Sequence, residues 1–493
     1  MEGDSLNHRG VSLRGILPEG EIVGAHDMFV TRVSADSRGC RTGDLYVALV
    51  GRDADGHRSI SEAVRLGASG VVASQPVSRC PVPVCYVADT SEAYGRVCQA
   101  LAGTPSGKLK VIGVAGAFGK TTTAYLAASS LAACGCQPGI LSSLGYCDGA
   151  EIADARWTTP PADIAAAWMA RMVEQRRTHA VVEISGRGLL DNRLAGVAFD
   201  SLCVTNLRGD RDSCNAIGYR RWTSRLLDCL PSECVLVVNV DDPISRDLAD
   251  RHDGPVLTVG IDQPAEFSAT IIERHRSEQT FLLSFGREIV PVRTTLLGRH
   301  NVINCLVATA LASSYGLDPH SIVRGIEEVH ELPGRLERIE CGQPFGVFVD
   351  EGASPEAVAI CLESLREATS GRLTCVFNAA SGLGGVQRVR LASAVDRLCD
   401  SAIVTQARET DDSGRSRELV AAFREAKKCS FVSSRAEAVR RALREARDGD
   451  CVLIAGRGRM SYGEAGGEFG QCDDRQLARQ ALHQLQNQCA RAA

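Results

Sequence analysis

The stretch Val111-Ile-Gly-Val-Ala-Gly-Ala-Phe-Gly-Lys-Thr-Thr-Thr123 is an apolar run that breaks into spaced glycines and leads into a helix-like segment. A strand, a glycine-rich turn and a helix in this order can cradle phosphate, because glycine lets backbone N–H groups face an anion. The lysine of the turn reaches the terminal phosphates, and the hydroxyl after it binds Mg²⁺. The stretch therefore predicts a nucleoside triphosphate site, with nucleotide contacts expected from Gly116, Gly119, Lys120, Thr121 and Thr122.

The spacing of this loop departs from the usual pattern. The sequence has G-x-x-G-x-x-G-K-T where G-x-x-x-x-G-K-T is usual, because Val114 stands at the position of the first glycine. The alternative interpretation is a glycine-rich turn that binds no ligand. The apolar strand before the loop and the helical segment Ala124 to Cys134 after it favour the phosphate site.

Length and composition bound the class of protein. At 493 residues the chain exceeds what one hydrophobic core serves, and such a length predicts roughly three domains. Apolar residues at 44%, charged residues at 23% and a net charge of -5 are typical of an ordinary globular protein. We therefore expect small-molecule partners, and neither a nucleic-acid groove nor a polybasic membrane surface.

Two further features bear on the cellular compartment. No apolar stretch approaches the ~18 residues of a membrane span, and Met1-Glu-Gly-Asp-Ser5 lacks the basic and apolar regions of a signal peptide. We expect a cytoplasmic monomer without a membrane span. The 20 cysteines lie singly in apolar runs and are predicted to be reduced core residues, for example Cys203, Cys305, Cys361 and Cys375.

The pattern of strands and helices separates three blocks and predicts a three-domain α/β protein. Residues 1–105 form a small N-terminal α/β domain, 106–333 a central P-loop domain with a doubly wound, mostly parallel sheet, and 334–493 a Rossmann-like C-terminal domain. Between Ala265 and Arg293 the alternation has period two, which predicts an antiparallel insertion. The main strands expected in the central domain are 111–114, 179–184, 201–205 and 234–239.

Short motifs follow one another along nearly the whole chain. They are Asp36-Ser-Arg38, Gly43-Asp-Leu-Tyr-Val-Ala-Leu49, Ala54-Asp-Gly-His57, the Gly-Lys-Thr loop, Thr158-Thr-Pro160, Glu183-Ile-Ser185, Thr205-Asn-Leu207, Asn239-Val-Asp-Asp-Pro243, Gly298-Arg-His-Asn301 with Asn304, and Pro333-Gly-Arg335. In this order and spacing the chain resembles the Mur ligases, ATP-dependent amide-forming enzymes of peptidoglycan precursor synthesis. It is most similar to the members that add the third peptide residue to UDP-N-acetylmuramoyl-L-alanyl-D-glutamate.

The resemblance implies a reaction and its participants. ATP would phosphorylate a substrate carboxylate to an acyl phosphate, the amine of an amino acid would attack it, and ADP and phosphate would leave. Such chemistry needs a phosphate cradle, a divalent metal and a way to hold two anions together. The implied cofactors are ATP and Mg²⁺, and the implied partners are a UDP-muramoyl peptide and an amino acid.

The resemblance also implies roles for individual residues. Lys120 and Thr121 correspond to the phosphate-binding pair, and Glu183 with Thr121 to the metal ligands. The alternative for Glu183 is a capping or salt-bridged carboxylate, and for Asp350 a solvated acid at a strand end. The positions that hold the UDP-sugar dipeptide are Ser37, Thr158, Thr159, Ser185 and Arg193, and those that hold the nucleotide from the C-terminal side are Asn301, Arg335 and Asp350.

The central block departs from the family pattern where a second metal should bind. Family members carry a bridging, carbamoylated lysine after the Thr-Asn-Leu strand, and the corresponding segment Tyr219–Leu227 has none. Arg211 stands where a histidine would bind the metal, and a cation cannot ligate a cation. The family's Glu-x-Ser-Ser-His has become Glu183-Ile-Ser-Gly-Arg187, and the usual asparagine of the phosphate loop is Phe118.

The third block has lost most of the family's charged groups. Arg388 is the remaining match to a Gly-Gly-Asp-Arg-Asp-Lys-Gly-Lys-Arg loop, and Gly456-Arg-Gly-Arg-Met460 replaces Gly-Lys-Gly-His-Glu. Asp350-Glu-Gly-Ala-Ser-Pro355 replaces Asp-Tyr-Ala-His-Thr-Pro. Gln406-Ala-Arg-Glu409 replaces the Asp-Asn-Pro-Arg motif that recognises diaminopimelate in related members. We therefore do not expect recognition of diaminopimelate by the usual residues.

Three functional hypotheses follow. In the first, the chain is an active ligase in which Arg187, Arg211 or Arg225 supplies the positive charge of the second metal. In the second, it is a pseudoenzyme that binds nucleotide or muropeptide in a regulatory or scaffolding role. In the third, it is a ligase that acts on another substrate, as in folate-type polyglutamylation. The block formed by Asp36-Ser-Arg38 and Gly43-Asp-Leu45 argues against this third hypothesis.

Overall fold

The computed structural model describes residues 10–51, 54–207, 216–378, 383–406, 413–459, 462–463 and 471–492. The chain divides into two compact units, one formed by residues 1–258 with 310–318 and the other by 259–309 with 319–493. The domain boundaries expected after residues 105 and 333 are not boundaries of these units, and they stay predictions. The α/β fold class is confirmed by the sheets described below.

The N-terminal part of the first unit is a small α/β layer. Its five-stranded sheet has the order β2-β7-β6-β5-β4, parallel except for β2, and β1 pairs separately with β3. The strands are β1 Val11–Ser12, β2 Glu21–Val23, β3 Phe29–Val30, β4 Val33–Ser34, β5 Leu45–Val47, β6 Gly70–Ala73 and β7 Val84–Tyr86. The helices are α1 Leu13–Ile16, α2 Ile60–Arg65 and α3 Thr90–Leu101, and the side chain of Asp89 caps the last of them.

The central part of the first unit is built on a longer sheet of order β11-β10-β9-β12-β8-β13-β14-β15. Strands β9, β12, β8, β13 and β14 run parallel, as predicted, and β10 and β11 add an antiparallel edge. The strands are β8 Lys110–Ala115, β9 Pro138–Ser142, β10 Gly145–Cys147, β11 Ile152–Ala153, β12 His179–Glu183, β13 Ser201–Val204, β14 Val235–Asn239 and β15 Val256–Gly260. The helices are α4 Lys120–Ala133, α5 Ala162–Glu174, α6 Gly186–Leu190, α7 Ala216–Asp228 and α8 Pro243–Ala249.

The two parts of the first unit are packed against each other. Cys98 of α3 forms a small apolar core with Ala162 and Ala166 of α5. A Cβ on Gly95 would lie 2.7 Å from the carbonyl oxygen of Ala195, so glycine is needed at this contact. The N-terminal segment therefore shares buried contacts with the segment that carries the phosphate loop.

The second unit begins with antiparallel strands and continues into a parallel sheet. Strands β16 Phe267–Arg274, β17 Gln279–Phe285 and β18 Glu288–Thr294 pair antiparallel, which confirms the predicted insertion. The six-stranded sheet has the order β19-β20-β24-β21-β22-β23 and is parallel except for β19. Its strands are β19 Glu337–Arg338, β20 Gly346–Asp350, β21 Leu373–Asn378, β22 Ser401–Thr405, β23 Cys429–Phe431 and β24 Cys451–Ala455, and β25 Tyr462–Gly463 pairs with β26 Gln471–Cys472.

Both faces of the six-stranded sheet are covered. Cys375 and Phe377 of β21 belong to one buried cluster, and Val376 between them belongs to a second cluster. This alternation is expected of a doubly wound sheet, whose strands are buried on both sides. The helices are α9 Arg299–Ser313, which begins in this unit, α10 Pro319–Glu327, α11 Pro355–Ala368, α12 Gly385–Leu398, α13 Ser413–Ala421, α14 Arg435–Glu445 and α15 Asp474–Ala492.

The cysteines and the helices of the described residues bear on two expectations from composition. Cysteines of this part of the chain are free thiols, and the four that were singled out, Cys203, Cys305, Cys361 and Cys375, are all buried. Within the same residues, no helix combines the length and the apolar character that a bilayer crossing requires.

Candidate active site

The phosphate loop joins the end of β8 to the start of α4 and depends on two glycines. Gly116 and Gly119 have φ angles of +136° and +79°, which residues with a Cβ atom rarely adopt. A Cβ on Gly116 would lie 2.2 Å from the Thr205 Oγ1 atom. Gly119 precedes α4 without a side-chain cap, so the first N–H groups of that helix face the loop. This geometry suits an anion such as phosphate.

Asn206, just after β13, holds the loop in place. Its carbonyl oxygen accepts the N–H of Ala117 at 2.8 Å, its Oδ1 accepts the N–H of Phe118 at 3.2 Å, and its Nδ2 donates to the Phe118 carbonyl oxygen at 3.1 Å. Asn206 belongs to the motif Thr205-Asn-Leu207, but the motif alone did not indicate a role for its side chain. The available signal is that Asn206 directly follows a predicted strand, since ligand-binding residues gather at the carboxyl ends of parallel strands.

Lys120 folds back over the loop. Its Nζ donates to the carbonyl oxygens of Gly116 at 3.0 Å and Ala117 at 3.1 Å, so the ammonium group lies within the phosphate cradle. Thr121 and Thr122 follow on the first turn of α4 and are both buried. The structure therefore brings the predicted nucleotide contacts of the first unit together in one loop.

Glu183 ends β12 with a carboxylate that is only 2% exposed. Thr121 Oγ1 lies 3.1 Å from each of its carboxylate oxygens, and the N–H of Ser143 donates to Oε2 at 3.0 Å. The Ser143 Oγ lies 3.0 Å from Thr121 Oγ1. Burying a carboxylate without a cation is costly, and none of the ion pairs found in the described residues includes Glu183.

These oxygen atoms suit Mg²⁺. A carboxylate with neighbouring hydroxyls is a hard donor set, and Mg²⁺ is commonly held by one or two carboxylates together with substrate phosphates and water. Thr121 and Glu183 fit as ligands, with Ser143 as a third oxygen that the sequence did not indicate. Across the described part of the chain, no group of three or more His, Cys, Asp or Glu residues forms a metal cluster of its own.

Three of the five predicted substrate contacts lie together beside Glu183. Thr159 Oγ1 donates to the Glu183 carbonyl oxygen at 2.8 Å and accepts the N–H of Ser185 at 2.8 Å. Arg193 donates to the Thr159 carbonyl oxygen at 2.9 Å, and Ser185 caps α6 by accepting the N–H of Gly188 at 3.0 Å. Thr158, the neighbour of Thr159, is partly exposed.

Ser37 takes part in a different contact. It lies in the short 3-10 helix Ser37–Gly39 and donates to Glu62 Oε2 at 2.6 Å. The structure does not bring Ser37 into the hydrogen-bonded group around Thr159. Its role toward a UDP-sugar stays a prediction.

The arginines expected to replace a second metal are engaged elsewhere or fall outside the described residues. Arg187 pairs with Asp191 at 3.2 Å, and Arg225 pairs with Asp89 at 3.1 Å. Arg211 lies outside the described residues. In this arrangement the guanidinium groups of Arg187 and Arg225 neutralise nearby carboxylates.

The three predicted nucleotide contacts of the second unit are firmly held. Asn301 is buried, and its Nδ2 donates to the Leu297 carbonyl oxygen at 2.8 Å. Asp350 accepts the N–H groups of Leu336 and Gly352, each at 2.7 Å, and burial raises the pKa of its carboxyl group. Arg335 pairs with Glu351 at 3.5 Å. Their roles toward a nucleotide stay predictions.

The sequence reasoning missed a buried ion pair in the second unit. Arg435 is 2% exposed and Asp474 is fully buried; Nε and Nη2 of Arg435 donate to the two carboxylate oxygens at 3.1 and 2.9 Å. Arg435 also donates to Thr405 Oγ1 at 3.3 Å and to the Ala455 carbonyl oxygen at 2.8 Å. The pair thus fixes the carboxyl ends of β22 and β24, just before two of the altered motifs.

The fold and this site define a class of protein: a P-loop α/β fold with a buried carboxylate beside the loop. Family models match three segments, the catalytic domain of the Mur ligase family at residues 29–101, the Mur ligase middle domain at 114–312 and the Mur ligase glutamate ligase domain at 334–458. Together they span most of the chain. The chain belongs to the Mur ligase family.

Individual relatives agree with this assignment. The UDP-N-acetylmuramoyl-L-alanyl-D-glutamate--2,6-diaminopimelate ligase of Streptomyces coelicolor is 30% identical over 477 residues, covering 93% of this chain and 93% of its own. The enzyme of the same name from Bacillus licheniformis is 30% identical over 478 residues, covering 94% and 96%.

Solved structures share the fold. A structure of a UDP-N-acetylmuramoyl-L-alanyl-D-glutamate--2,6-diaminopimelate ligase superposes with a TM-score of 0.69 at 23% identity, covering 97% of this chain and 99% of that one. The MurF ligase from Thermotoga maritima, in complex with ADP, superposes with a TM-score of 0.63 at 17% identity, covering 94% and 98%. At these identities the likeness concerns the fold alone.

Proposed function

We propose that the chain is an ATP-dependent amide ligase that adds an amino acid to UDP-N-acetylmuramoyl-L-alanyl-D-glutamate in peptidoglycan precursor synthesis. One observation carries the proposal. The side chain of Glu183 contacts Thr121 of the phosphate loop, and its backbone carbonyl oxygen accepts the hydroxyl of Thr159, at the centre of the predicted substrate contacts. One residue thus joins the phosphoryl donor site to the acceptor site, as acyl phosphate formation requires.

Each group in the site has a task in this reaction. The N–H groups of the loop and the Lys120 ammonium bind the phosphates of ATP. Mg²⁺, held by Thr121 and Glu183, would neutralise charge on the transferred phosphoryl group. Ser185, Thr159 and Arg193 orient the muramoyl peptide. The cytoplasmic location and the monomeric state expected from the sequence belong to the same proposal.

The amino acid that is added need not be diaminopimelate. The relatives named above carry diaminopimelate in their names, and this chain has Gln406-Ala-Arg-Glu409 where the diaminopimelate-recognising motif is expected. Residues 407–412 lie outside the described part of the chain. The proposal therefore specifies the muramoyl dipeptide and calls for a panel of amino acids.

A second candidate function is supported by the arginine contacts. Arg187 and Arg225 pair with Asp191 and Asp89, so carboxylates already balance part of the positive charge that would replace a second metal. A site with one metal and few cations binds nucleotide and muropeptide more readily than it transfers a phosphoryl group. The second candidate is a pseudo-ligase that binds these ligands in a regulatory or scaffolding role.

A coupled phosphate-release assay separates the two. UDP-N-acetylmuramoyl-L-alanyl-D-glutamate, Mg²⁺–ATP and individual amino acids are supplied to the wild type, to Lys120→Ala and to Lys110→Ala. Lys110→Ala is the control, because it removes the same kind of side chain at the opposite end of β8 from the loop. The Lys110 ammonium group pairs with Asp200 at 2.7 Å. Ligase activity predicts phosphate release that needs dipeptide and amino acid together and is lost in Lys120→Ala only.

Calorimetry on the same proteins completes the test. Binding of ATP or dipeptide without phosphate release across the panel would support the pseudo-ligase and overturn the ligase. If neither ligand binds the wild type, both candidates are wrong.

A further inference from the structure

The indole of Trp157 is accessible to solvent and lies next to the predicted substrate contacts. Trp157 is 37% exposed, whereas Trp168 and Trp222 are 9% and 4% exposed. A single exposed apolar side chain is ordinary on a protein surface. Trp157 calls for more attention because it immediately precedes Thr158 and Thr159. Sites for small molecules are commonly lined by aromatic side chains beside a few well-placed polar groups.

One hydroxyl group holds both polar groups of the Trp157 backbone. The Tyr146 hydroxyl donates to the Trp157 carbonyl oxygen at 2.6 Å and accepts the Trp157 N–H at 3.3 Å. Tyr146 is buried, and its ring packs edge-to-face against Trp168 with the ring centroids 5.9 Å apart. The Arg171 guanidinium in turn lies 4.4 Å from the centre of the Trp168 ring. The indole of Trp157 therefore extends from a fixed backbone, which reduces the entropy that a ligand loses by ordering it.

The Tyr146 support lies close to the charged groups of the candidate site. Tyr146 follows Ser143 by three residues, and the Ser143 N–H donates to the Glu183 carboxylate at 3.0 Å. Burial raises the pKa of the Tyr146 hydroxyl, and the charges of Arg193 and Glu183 act on it in opposite directions. The hydroxyl that holds Trp157 is thus within electrostatic reach of both side chains.

The segment 157–159 is also held at its other end by the candidate site. Thr159 accepts a hydrogen bond from Arg193 at its carbonyl oxygen, at 2.9 Å, and its hydroxyl donates to the Glu183 carbonyl oxygen at 2.8 Å. Thr159 is buried, and Trp157 is exposed. The segment therefore runs from the metal-binding candidate Glu183 out to an accessible indole.

Length indicates which part of the substrate can reach this indole. Two residues of chain span at most about 7 Å, so the Trp157 backbone lies within about that distance of Thr159. The L-alanyl-D-glutamyl part of the proposed substrate spans about the same length when it is extended. Its reacting carboxylate must approach Glu183 and the phosphate loop, and its sugar lies at the other end of the dipeptide. A substrate bound in this way can bring the muramoyl sugar to Trp157.

The chemistry of the two groups also matches. The face of an indole ring is electron-rich, and the C–H groups on the face of a saturated sugar ring pack against such a surface. We propose that the exposed part of the Trp157 indole packs against the N-acetylmuramoyl sugar of bound UDP-N-acetylmuramoyl-L-alanyl-D-glutamate. Trp157 is then a substrate-binding residue. The proposal rests on the proposed function, from which it takes its ligand, and it applies equally to the ligase and to the pseudo-ligase.

Calorimetry with the dipeptide substrate tests the contact. Trp157→Ala removes the indole, and covering about a third of its surface corresponds to a factor of about 5 to 50 in affinity. The dipeptide should therefore bind Trp157→Ala about 5- to 50-fold more weakly than the wild type, and Trp157→Phe should lie between the two. Phe431→Ala is the matched control, because Phe431 is an aromatic residue of the same 37% exposure on the edge strand β23 of the second unit. The control should bind the dipeptide like the wild type.

Two shorter ligands locate the contact on the substrate. UDP-N-acetylmuramate has the sugar but no peptide, so Trp157→Ala should weaken its binding by the same factor. UDP lacks the sugar and should bind both proteins equally. A loss for UDP would place the contact on the nucleotide, and a loss for the dipeptide alone would place it on the peptide; either result would overturn the proposal. Unchanged dipeptide affinity in a folded Trp157→Ala protein would overturn it too, while the proposed function would stand. A wild type that does not bind the dipeptide would overturn both.

Fluorescence of the wild type decides the matter if neither Trp157 variant folds. Acrylamide quenches tryptophan emission on contact, and of the 3 tryptophans in the chain Trp157 is the exposed one. Saturating UDP-N-acetylmuramate should reduce the quenching, because the sugar would cover the indole, and saturating UDP should not. Equal quenching with and without UDP-N-acetylmuramate would refute the proposal.

Discussion

Asn206 offers a direct test of how the phosphate loop is held. Asn206→Ala removes the two side-chain hydrogen bonds to Phe118, at 3.2 and 3.1 Å, and leaves the backbone bond to Ala117 at 2.8 Å. An intramolecular hydrogen bond contributes about 0.5–1.5 kcal/mol, so the loop conformation loses about 1–3 kcal/mol. If the loop must hold this conformation to bind phosphates, affinity for Mg²⁺–ATP falls about 5- to 140-fold, at about 1.4 kcal/mol per factor of ten.

Titration calorimetry with Mg²⁺–ATP measures the effect. The control is Asn192→Gly, which removes one side-chain hydrogen bond to Asp89 in the same unit and suits the φ angle of +53° at that position. The control should bind ATP like the wild type. An Asn206→Ala protein that melts normally and binds ATP within about twofold of the wild type would show that the loop does not depend on Asn206, and the reasoning would be refuted.

Two further predictions concern the second unit. Asp474→Ala leaves the Arg435 guanidinium buried without its carboxylate and should lower the free energy of unfolding by about 3–5 kcal/mol. Arg441→Ala, the control, breaks a surface pair with Glu445 and should lower it by at most about 1 kcal/mol. Hydrogen exchange of the β22 and β24 amides measures both free energies, and equal losses in the two variants would contradict the prediction. Burial lowers the pKa of His300 from 6.5 to about 4. The contribution of neutral His300 to the free energy of unfolding is therefore fully present above pH 6.5 and is lost as the pH falls toward 4. Urea unfolding of His300→Gln should depend less on pH in that window, and an unchanged profile would show that His300 does not contribute.

The main strands could be predicted because their signal is local. The runs expected at 179–184 and 201–205 are strands His179–Glu183 and Ser201–Val204, whose residues are buried throughout. A strand buried on both faces appears in the sequence as a continuous apolar run. The two compact units could not be predicted in this way, because contacts such as that of Gly95 with Ala195 join residues that are distant in the chain.

The site was predicted only in part, for a reason that lies in the order of strands. The phosphate loop was visible because its residues are consecutive. Ser143, Glu183 and Asn206 follow or end β9, β12 and β13, and these strands meet β8 in the spatial order β9-β12-β8-β13, which differs from their order in the chain. Without that order, nothing in the sequence shows that Ser143 and Asn206 belong to the same sheet edge as the loop.

The residues that surround Glu183 bear on whether this family member turns over. Phosphorylation of a carboxylate brings two anions together, and cations reduce their repulsion more than neutral donors do at the same distance. Arg187 and Arg225 already pair with carboxylates, so the positive charge expected at the site comes from Lys120, from Arg193 and from the Mg²⁺ that Thr121 and Glu183 would hold. Such a site should keep its affinity for the muramoyl dipeptide while its rate of phosphoryl transfer is low, so the two candidate functions differ in turnover and not in the ligand.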